Sequence, residues 1–80
     1  MVVKDAVVRR FREICEQRNI KANALANLAG VTPSTVYSML DGSRKDVSIV
    51  TIKKLCDGLE ITLIEFFDTP EFRALEQEIR

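Results

Sequence analysis

The sequence predicts an all-α domain of about six short helices. Apolar residues recur at three- and four-residue steps along most of the chain, which is the spacing of one helix face. Hydroxyl residues stand where several of these segments begin, and two of them are followed directly by proline, a common first helical residue. No segment of four or more residues alternates polar and apolar side chains between strong turn signals, so no strand is predicted.

The first three helices follow from apolar stripes and helix-end residues. The first is predicted over about residues 3–18, and its stripe consists of Val7, Phe11, Ile14 and Cys15. The second is predicted over 22–29, because Gly30 follows it and accepts a left-handed turn. The third is predicted over 33–40, because Thr32 can cap a helix that opens on proline.

Three more helices are predicted after a polar loop over 43–47. Ser48 caps the fourth helix, whose stripe consists of Ile49, Ile52, Leu55, Cys56 and Leu59. Thr62 and Glu65 have the spacing of a capping box and open a short fifth helix, which turns Leu63, Phe66 and Phe67 inward. A second hydroxyl–proline pair opens the sixth helix, predicted over 70–80. Its stripe consists of Phe72, Leu75 and Ile79.

Length and composition exclude several classes of protein. The 80 residues suffice for one small domain and leave little room for a deep substrate cleft. The chain has no histidine, no paired carboxylates on one face and no glycine loop for phosphate, so we predict no enzyme activity, cofactor or metal. Cys15 and Cys56 are expected to be buried free thiols in a reducing cytoplasm. No apolar run suits a membrane span, and the early charges do not suit a secretory signal.

Charge is balanced in total and uneven along the chain. Twelve basic and twelve acidic residues give a formal net charge of zero. Residues 1–54 carry ten basic and five acidic side chains, whereas residues 55–80 carry two basic and seven acidic ones. This asymmetry indicates one side that faces a polyanion, although ordinary solvated helix faces would give the same totals.

Residues 22–42 have the pattern of two helices that cross at a steep angle. Ala26 allows a close approach, Gly30 tolerates a positive φ in the connecting turn, and Val36 anchors the second helix to the core. The remaining core positions are Leu25, Val31 and Met39. The outer face of helix 33–40 is uncharged and carries Ser34, Thr35, Tyr37 and Ser38.

This segment resembles the helix-turn-helix of the phage repressor and Cro-like (XRE-type) DNA-binding family. Residues 22–42 read ANALANLAGVTPSTVYSMLDG, which is similar to the family signature LA…GV(S/T)…T(I/V)…G. Residues 51–67 are similar to the closing helices of the family, so the resemblance covers about residues 5–68. It implies a compact five-helix, lambda-repressor-like DNA-binding domain over 1–68, followed by a C-terminal helix over 69–80 that is a candidate dimerisation element.

The resemblance implies sequence-specific binding of double-stranded DNA by a transcriptional regulator, expected to be a repressor, with helix 33–40 in the major groove. The positions that face bases in the family correspond to Pro33, Ser34, Tyr37 and Ser38. The positions that meet phosphates correspond to Lys21, Ala22, Thr32, Thr35, Ser43, Arg44 and Lys45. The regulator is expected in the cytoplasm of a bacterium or phage host, as a homodimer on DNA. Neither a membrane nor a small-molecule effector site is indicated.

The chain departs from the family pattern at three places. Pro33 and Ser34 stand where long polar side chains are common, so we expect recognition through water, thymine methyl groups or DNA shape. Leu40 and Cys15 replace a common glutamate–arginine pair, and we expect these two apolar side chains to pack together. Lys21 stands where a capping hydroxyl is usual, which leaves the second helix with a poor N-cap.

Two alternatives stay open from the sequence. Helix 70–80 is too short to be stable alone, so it either folds back on its own domain or pairs with its copy in a second chain. The helix-turn-helix could also bind a protein, as the antitoxin or accessory component of a two-gene system. In that case Ser34 and Ser38 would be ordinary surface serines, and the cations of the 43–45 segment would belong to a solvated loop.

Overall fold

The chain folds into six helices over residues 1–44 and 46–79, which are the residues that the computed structural model describes. The helices are α1 (Val3–Arg18), α2 (Ala22–Ala29), α3 (Pro33–Leu40), α4 (Ile49–Gly58), α5 (Leu63–Phe67) and α6 (Pro70–Arg73). No strand occurs within these ranges, and the predicted all-α fold is confirmed. The bounds of α1, α2 and α3 are those expected from their stripes and end residues.

Side-chain caps begin two of the later helices. Oγ of Ser48 accepts the N–H of Val50 at 3.1 Å, at the start of α4. Thr62 and Glu65 form the predicted capping box, since each side chain accepts the other residue's N–H at 3.0 Å. Among the described residues no side chain caps α2, whose N-cap is Lys21, as its sequence predicts. The starts of α4 and α5 are therefore determined by residues close to them in the sequence.

Three helices end in the same left-handed turn. Asn19 after α1, Gly30 after α2 and Glu60 after α4 have φ of 55°, 68° and 58°. In each case the next residue donates its N–H to a carbonyl five positions earlier, at 2.8 to 3.0 Å. This closure satisfies carbonyl groups that the helix end would leave unpaired. The chain thus reverses direction tightly after each of these three helices.

Glycine in place of Glu60 is expected to stabilise the domain by about 1 kcal/mol, because it removes the steric cost of a side chain at positive φ. Urea unfolding followed by circular dichroism measures the change. Glu13→Gly, in the middle of α1, is the control and is expected to destabilise by about 1 kcal/mol. A loss of stability for Glu60→Gly would contradict the strain at this turn.

The core is formed by side chains from the first five helices and by Leu59, which directly follows α4. Its buried members are Val7, Phe11, Ile14, Leu25, Ala26, Val36, Met39, Ile52, Leu55, Cys56, Leu59 and Phe66. Helix α4 packs against α2 and α5, and its Gly58 lies directly on the backbone at the end of α2. The first helix of the predicted helix-turn-helix, α2, is therefore supported from behind by α4, and α3 packs on α2 in turn.

A group of phenylalanine rings joins α1, α5 and α6. The Phe66 ring lies 4.4 Å from that of Phe11, 5.0 Å from that of Phe67 and 5.8 Å from that of Phe72, between ring centres. The rings of Phe67 and Phe72 meet edge to face at 4.8 Å. Because Phe72 belongs to α6, this contact holds the C-terminal segment on its own domain.

The prediction of a helix over 70–80 is wrong between Ala74 and Ile79, where the described chain is not helical. The N–H of Glu76 donates to the carbonyl of Met1 at 3.2 Å, and its carboxylate lies 2.6 Å from the N-terminal amine. These bonds join the non-helical tail to the start of the chain. Phe72 is the residue of the predicted stripe that reaches the phenylalanine group, whereas Ile79 is 89% exposed. Arg80 lies outside the described residues.

Three basic side chains of α1 reach the C-terminal ends of other helices. Lys4 reaches the end of α3, Arg10 the end of α5 and Arg18 the end of α4. The acceptors are the carbonyl oxygens of Asp41 and Arg44, of Phe66 and Glu65, and of Leu59, at distances of 2.5 to 3.1 Å. Positive charge is favourable there because a helix C-terminus carries partial negative charge. Part of the basic excess in residues 1–54 therefore serves the fold.

Both cysteines are free: Cys56 is buried within the core, as predicted, whereas Cys15 is only half-buried and packs against it. Burial, with the nearby Asp57 carboxylate, raises the pKa of Cys56 to about 11. Burial also raises the pKa of Cys15, against the opposing charge of Arg18. Both thiols are therefore protonated at neutral pH, which keeps them weak nucleophiles.

None of the helices described over 1–44 and 46–79 has both the length and the apolar character needed to cross a membrane.

Candidate nucleic-acid interface

Two threonine hydroxyls form the start of α3. Oγ1 of Thr32 accepts the N–H of Thr35 at 3.3 Å, and the two hydroxyl oxygens are 3.0 Å apart. Thr32 is therefore the N-cap that the sequence predicts, followed by Pro33 as the first helical residue. Both threonines are predicted to meet phosphates, and their hydroxyls bond to each other at the start of the helix.

The buried and exposed faces of α3 match the predicted division. Val36 and Met39 are buried, whereas Pro33 and Ser34 are exposed and Ser38 is half-buried. The other predicted motif residues also support the helix pair: Leu25 and Ala26 are buried, Val31 is half-buried on the core, and Gly30 is left-handed. Of the four residues predicted to face bases, Pro33, Ser34 and Tyr37 are exposed, so the described part of the C-terminal segment, 70–79, does not cover them.

Tyr37 links α3 to α2. The residue is 57% exposed, and its hydroxyl donates to Oδ1 of Asn23 at 3.4 Å. The contact is long for a hydrogen bond, so it orients the ring weakly. Tyr37 therefore contacts α2 through its hydroxyl while more than half of the residue faces solvent.

A shallow depression of about 350 Å³ lies between α3 and the start of α4. Its polar lining consists of Ser34, Thr35, Ser38, Arg44, Asp46, Ser48 and Thr51. The two serines expected to face bases therefore share a surface with Arg44, which was expected to meet phosphate. Sequence reasoning missed Ser48 and Thr51 here, because they have the spacing of a helix start and only the tertiary fold brings them beside α3.

Asp41 organises the loop that carries Arg44. Its Oδ1 accepts the N–H of Ser43 at 3.0 Å and the hydroxyl of Ser43 at 2.8 Å. These bonds, above all the one from the N–H, lower the pKa of Asp41. The Arg44 guanidinium is mostly exposed, 3.7 Å from the other carboxylate oxygen. Ser43, expected to meet phosphate, thus uses both its donors inside the loop, and Lys45, with the same expected role, lies outside the described residues.

Lys21 and Ala22 lie at the start of α2, away from this depression. Lys21 is exposed, and Ala22 lines a separate groove of about 370 Å³ between α1, α2 and α3. Cys15 and Leu40 line the same groove, which agrees with their expected packing without showing a direct contact. Their mutual packing therefore stays a prediction.

The described residues contain no group of three or more side chains suited to hold a metal ion. The polar groups of the depression are hydroxyls, one guanidinium and one carboxylate. Hydroxyls can donate to and accept from base edges, and a guanidinium binds phosphate. The arrangement is therefore suited to contact with a polar, anionic surface.

Comparison with known proteins shows what this chain is similar to. The family model described as a Cro/C1-type HTH DNA-binding domain matches residues 10–71. The crystal structure of prophage Lp1 protein 11 is similar, with 36% sequence identity and a TM-score of 0.81 over 94% of this chain and 100% of that chain. No curated protein matches this chain. The matched range includes α2, α3 and the whole depression.

Proposed function

The chain belongs to the Cro/C1-type helix-turn-helix DNA-binding domain family, and from this we propose that it is a repressor that reads a specific duplex with α3 in the major groove. The observation that carries the proposal is the exposed, uncharged face of α3 beside the Arg44 guanidinium. A protein of this kind acts by occupying its DNA site and excluding other proteins from it. We place it in the cytoplasm, where its DNA is.

Base recognition, in this proposal, uses short side chains at the start and middle of α3. The hydroxyls of Ser34 and Ser38 both donate and accept, so each can bond to several bases and discriminates weakly. Pro33 and the ring of Tyr37 offer apolar surface to thymine methyl groups. Water-mediated contacts and DNA shape then supply the remaining specificity.

Phosphate contacts, in the same proposal, flank α3 on two sides. Lys21 lies before α2, and Arg44 lies after α3 with an exposed side chain. Such contacts determine the register of the protein on the duplex but carry no sequence information themselves. A single domain makes few of them, so we propose that a homodimer occupies two half-sites, with the segment 74–79 as a candidate contact between copies.

The test begins with selection of bound duplexes from a random pool, followed by fluorescence anisotropy on the selected duplex at several salt concentrations. Arg44→Ala is expected to weaken binding to every duplex and to flatten the slope of log K against log salt by about 0.9. Ser34→Ala is expected to alter the base preference instead, by about 1 kcal/mol at the affected position.

Arg73→Ala is the matched control, because it removes one positive charge on α6, where Arg73 pairs with Asp68. It is expected to leave affinity and salt slope nearly unchanged. Weak binding that is equal for all duplexes would contradict the proposal, and it would favour the alternative of a protein-binding antitoxin or accessory component. Sedimentation of the protein–duplex complex gives the number of copies bound.

A further inference from the structure

Lys4 is a buried cation that lies behind the 41–44 loop, the segment from Asp41 to Arg44 that follows α3. It is 3% exposed, although it belongs to α1 and is the fourth residue of the chain. Its Nζ donates to the carbonyl oxygen of Asp41 at 3.1 Å and to that of Arg44 at 3.0 Å. One ammonium group therefore joins both ends of this loop to the first helix.

The loop is closed on itself as well as tied to α1. The N–H of Arg44 donates to the carbonyl of Asp41 at 3.1 Å, so this carbonyl accepts both the turn hydrogen bond and the Lys4 ammonium. The carboxylate of Asp41 holds Ser43 from the other side. The 41–44 loop, from which the Arg44 side chain projects, is thus held by hydrogen bonds at both ends.

Burying an ammonium group is costly unless carbonyl oxygens and a helix C-terminus compensate it. Here the compensation comes from the loop itself, because Asp41 is the C-cap of α3. The bond therefore works in both directions: the loop keeps Lys4 buried, and Lys4 keeps the loop in place. Because its side chain is covered, Lys4 is unable to contact a phosphate directly.

We propose that Lys4 is a positioning residue for DNA binding, which acts by holding the 41–44 loop so that Arg44 projects beside α3. This inference rests on the proposed function. In the sequence Lys4 is one cation among ten in the first 54 residues, and nothing there separates it from a surface phosphate contact. In the structure its role is to place another residue's charge.

A double-mutant cycle on the selected duplex tests the proposal. Lys4→Met keeps the apolar stem and removes the donors, and Arg44→Ala removes the guanidinium. Each single variant is expected to weaken binding roughly tenfold and to lower the salt slope by about 0.9. Because Lys4 acts through Arg44, the double variant is expected to bind no more weakly than Arg44→Ala alone. Additive losses would overturn the proposal.

Urea unfolding of each variant ensures that binding is compared only where the protein is folded. If Lys4→Met does not fold, Lys4→Gln takes its place, since its shorter, neutral side chain cannot hold the carbonyl oxygens of Asp41 and Arg44 together. Full affinity and an unchanged salt slope for Lys4→Gln would overturn the proposal, whereas a loss that disappears in the Arg44→Ala background supports it. Arg73→Ala again controls for the loss of one charge.

The result distinguishes this inference from the proposed function. If the unaltered protein selects no duplex, the proposed function fails. If it binds selectively and Lys4→Met binds equally well, only the role of Lys4 fails. Amide chemical shifts of Ser43 and Arg44 in Lys4→Met give a second readout, because the proposal requires both to change.

Discussion

Replacing Gly58 with alanine is expected to push α4 away from the end of α2 and to destabilise the domain by about 3 kcal/mol. A Cβ at this position would lie 2.8 Å from the backbone N of Ala29 and 2.8 Å from the carbonyl carbon of Leu28. These are backbone atoms, so no side-chain rotation relieves the overlap. One of the two helices must move, and α2 is half of the helix-turn-helix.

Urea unfolding measures this effect, and Gly42→Ala is the matched control. A Cβ at Gly42 would meet no atom of the described residues within 4 Å, so the control is expected to change stability by less than about 0.5 kcal/mol. Alanine is the better helix former, and in the absence of overlap Gly58→Ala would stabilise α4 by up to about 1 kcal/mol. A measured gain in stability would therefore refute the close approach of α4 and α2.

Truncation of Phe66 to alanine is expected to cost about 4 kcal/mol. The ring is fully buried, contacts three other phenylalanines and has the Arg10 guanidinium 6.0 Å from its centre. A folded domain has about 5–15 kcal/mol of stability in total, so the variant is expected to lose between about a quarter and most of it. The loss corresponds to a fall in Tm of roughly 20 °C.

Thermal unfolding by circular dichroism gives the comparison with Phe72→Ala, the control from the same group of rings. Phe72 is only half-buried and lies at the edge of the group on α6. Its removal is expected to lower Tm by less than half as much. Equal losses for the two variants would mean that α6 is as central to the fold as α5, contrary to the packing described above.

Helix ends that depend on neighbouring residues could be predicted from the sequence. Thr32 and Ser48 cap the helices that they precede, and Gly30 has the positive φ expected of it. The end of α6 could not be predicted, because an apolar stripe shows that a helix would have an apolar face and not that a surface exists to cover it. Phe72 finds such a surface, whereas Ile79 does not.

The candidate interface also has features that could be predicted from the sequence and features that could not. The hydroxyl face of α3 follows from helical periodicity and could be predicted residue by residue. The contribution of Thr51 to the depression could not, because it depends on how the chain turns between α3 and α4. The roles of Lys4 and Gly58 depend on contacts between segments about 30 or more residues apart, which local patterns do not contain.

The basic side chains of α1 have a consequence for how the molecule comes apart. If α1 is released, the carbonyl ends of α3, α4 and α5 lose their cationic partners in a single event. States in which α1 has separated from the other helices are therefore less stable than the native state by all of these contacts at once, which favours all-or-none unfolding. The surface offered to DNA then exists only while the entire domain is assembled, and its lifetime is that of the native state as a whole.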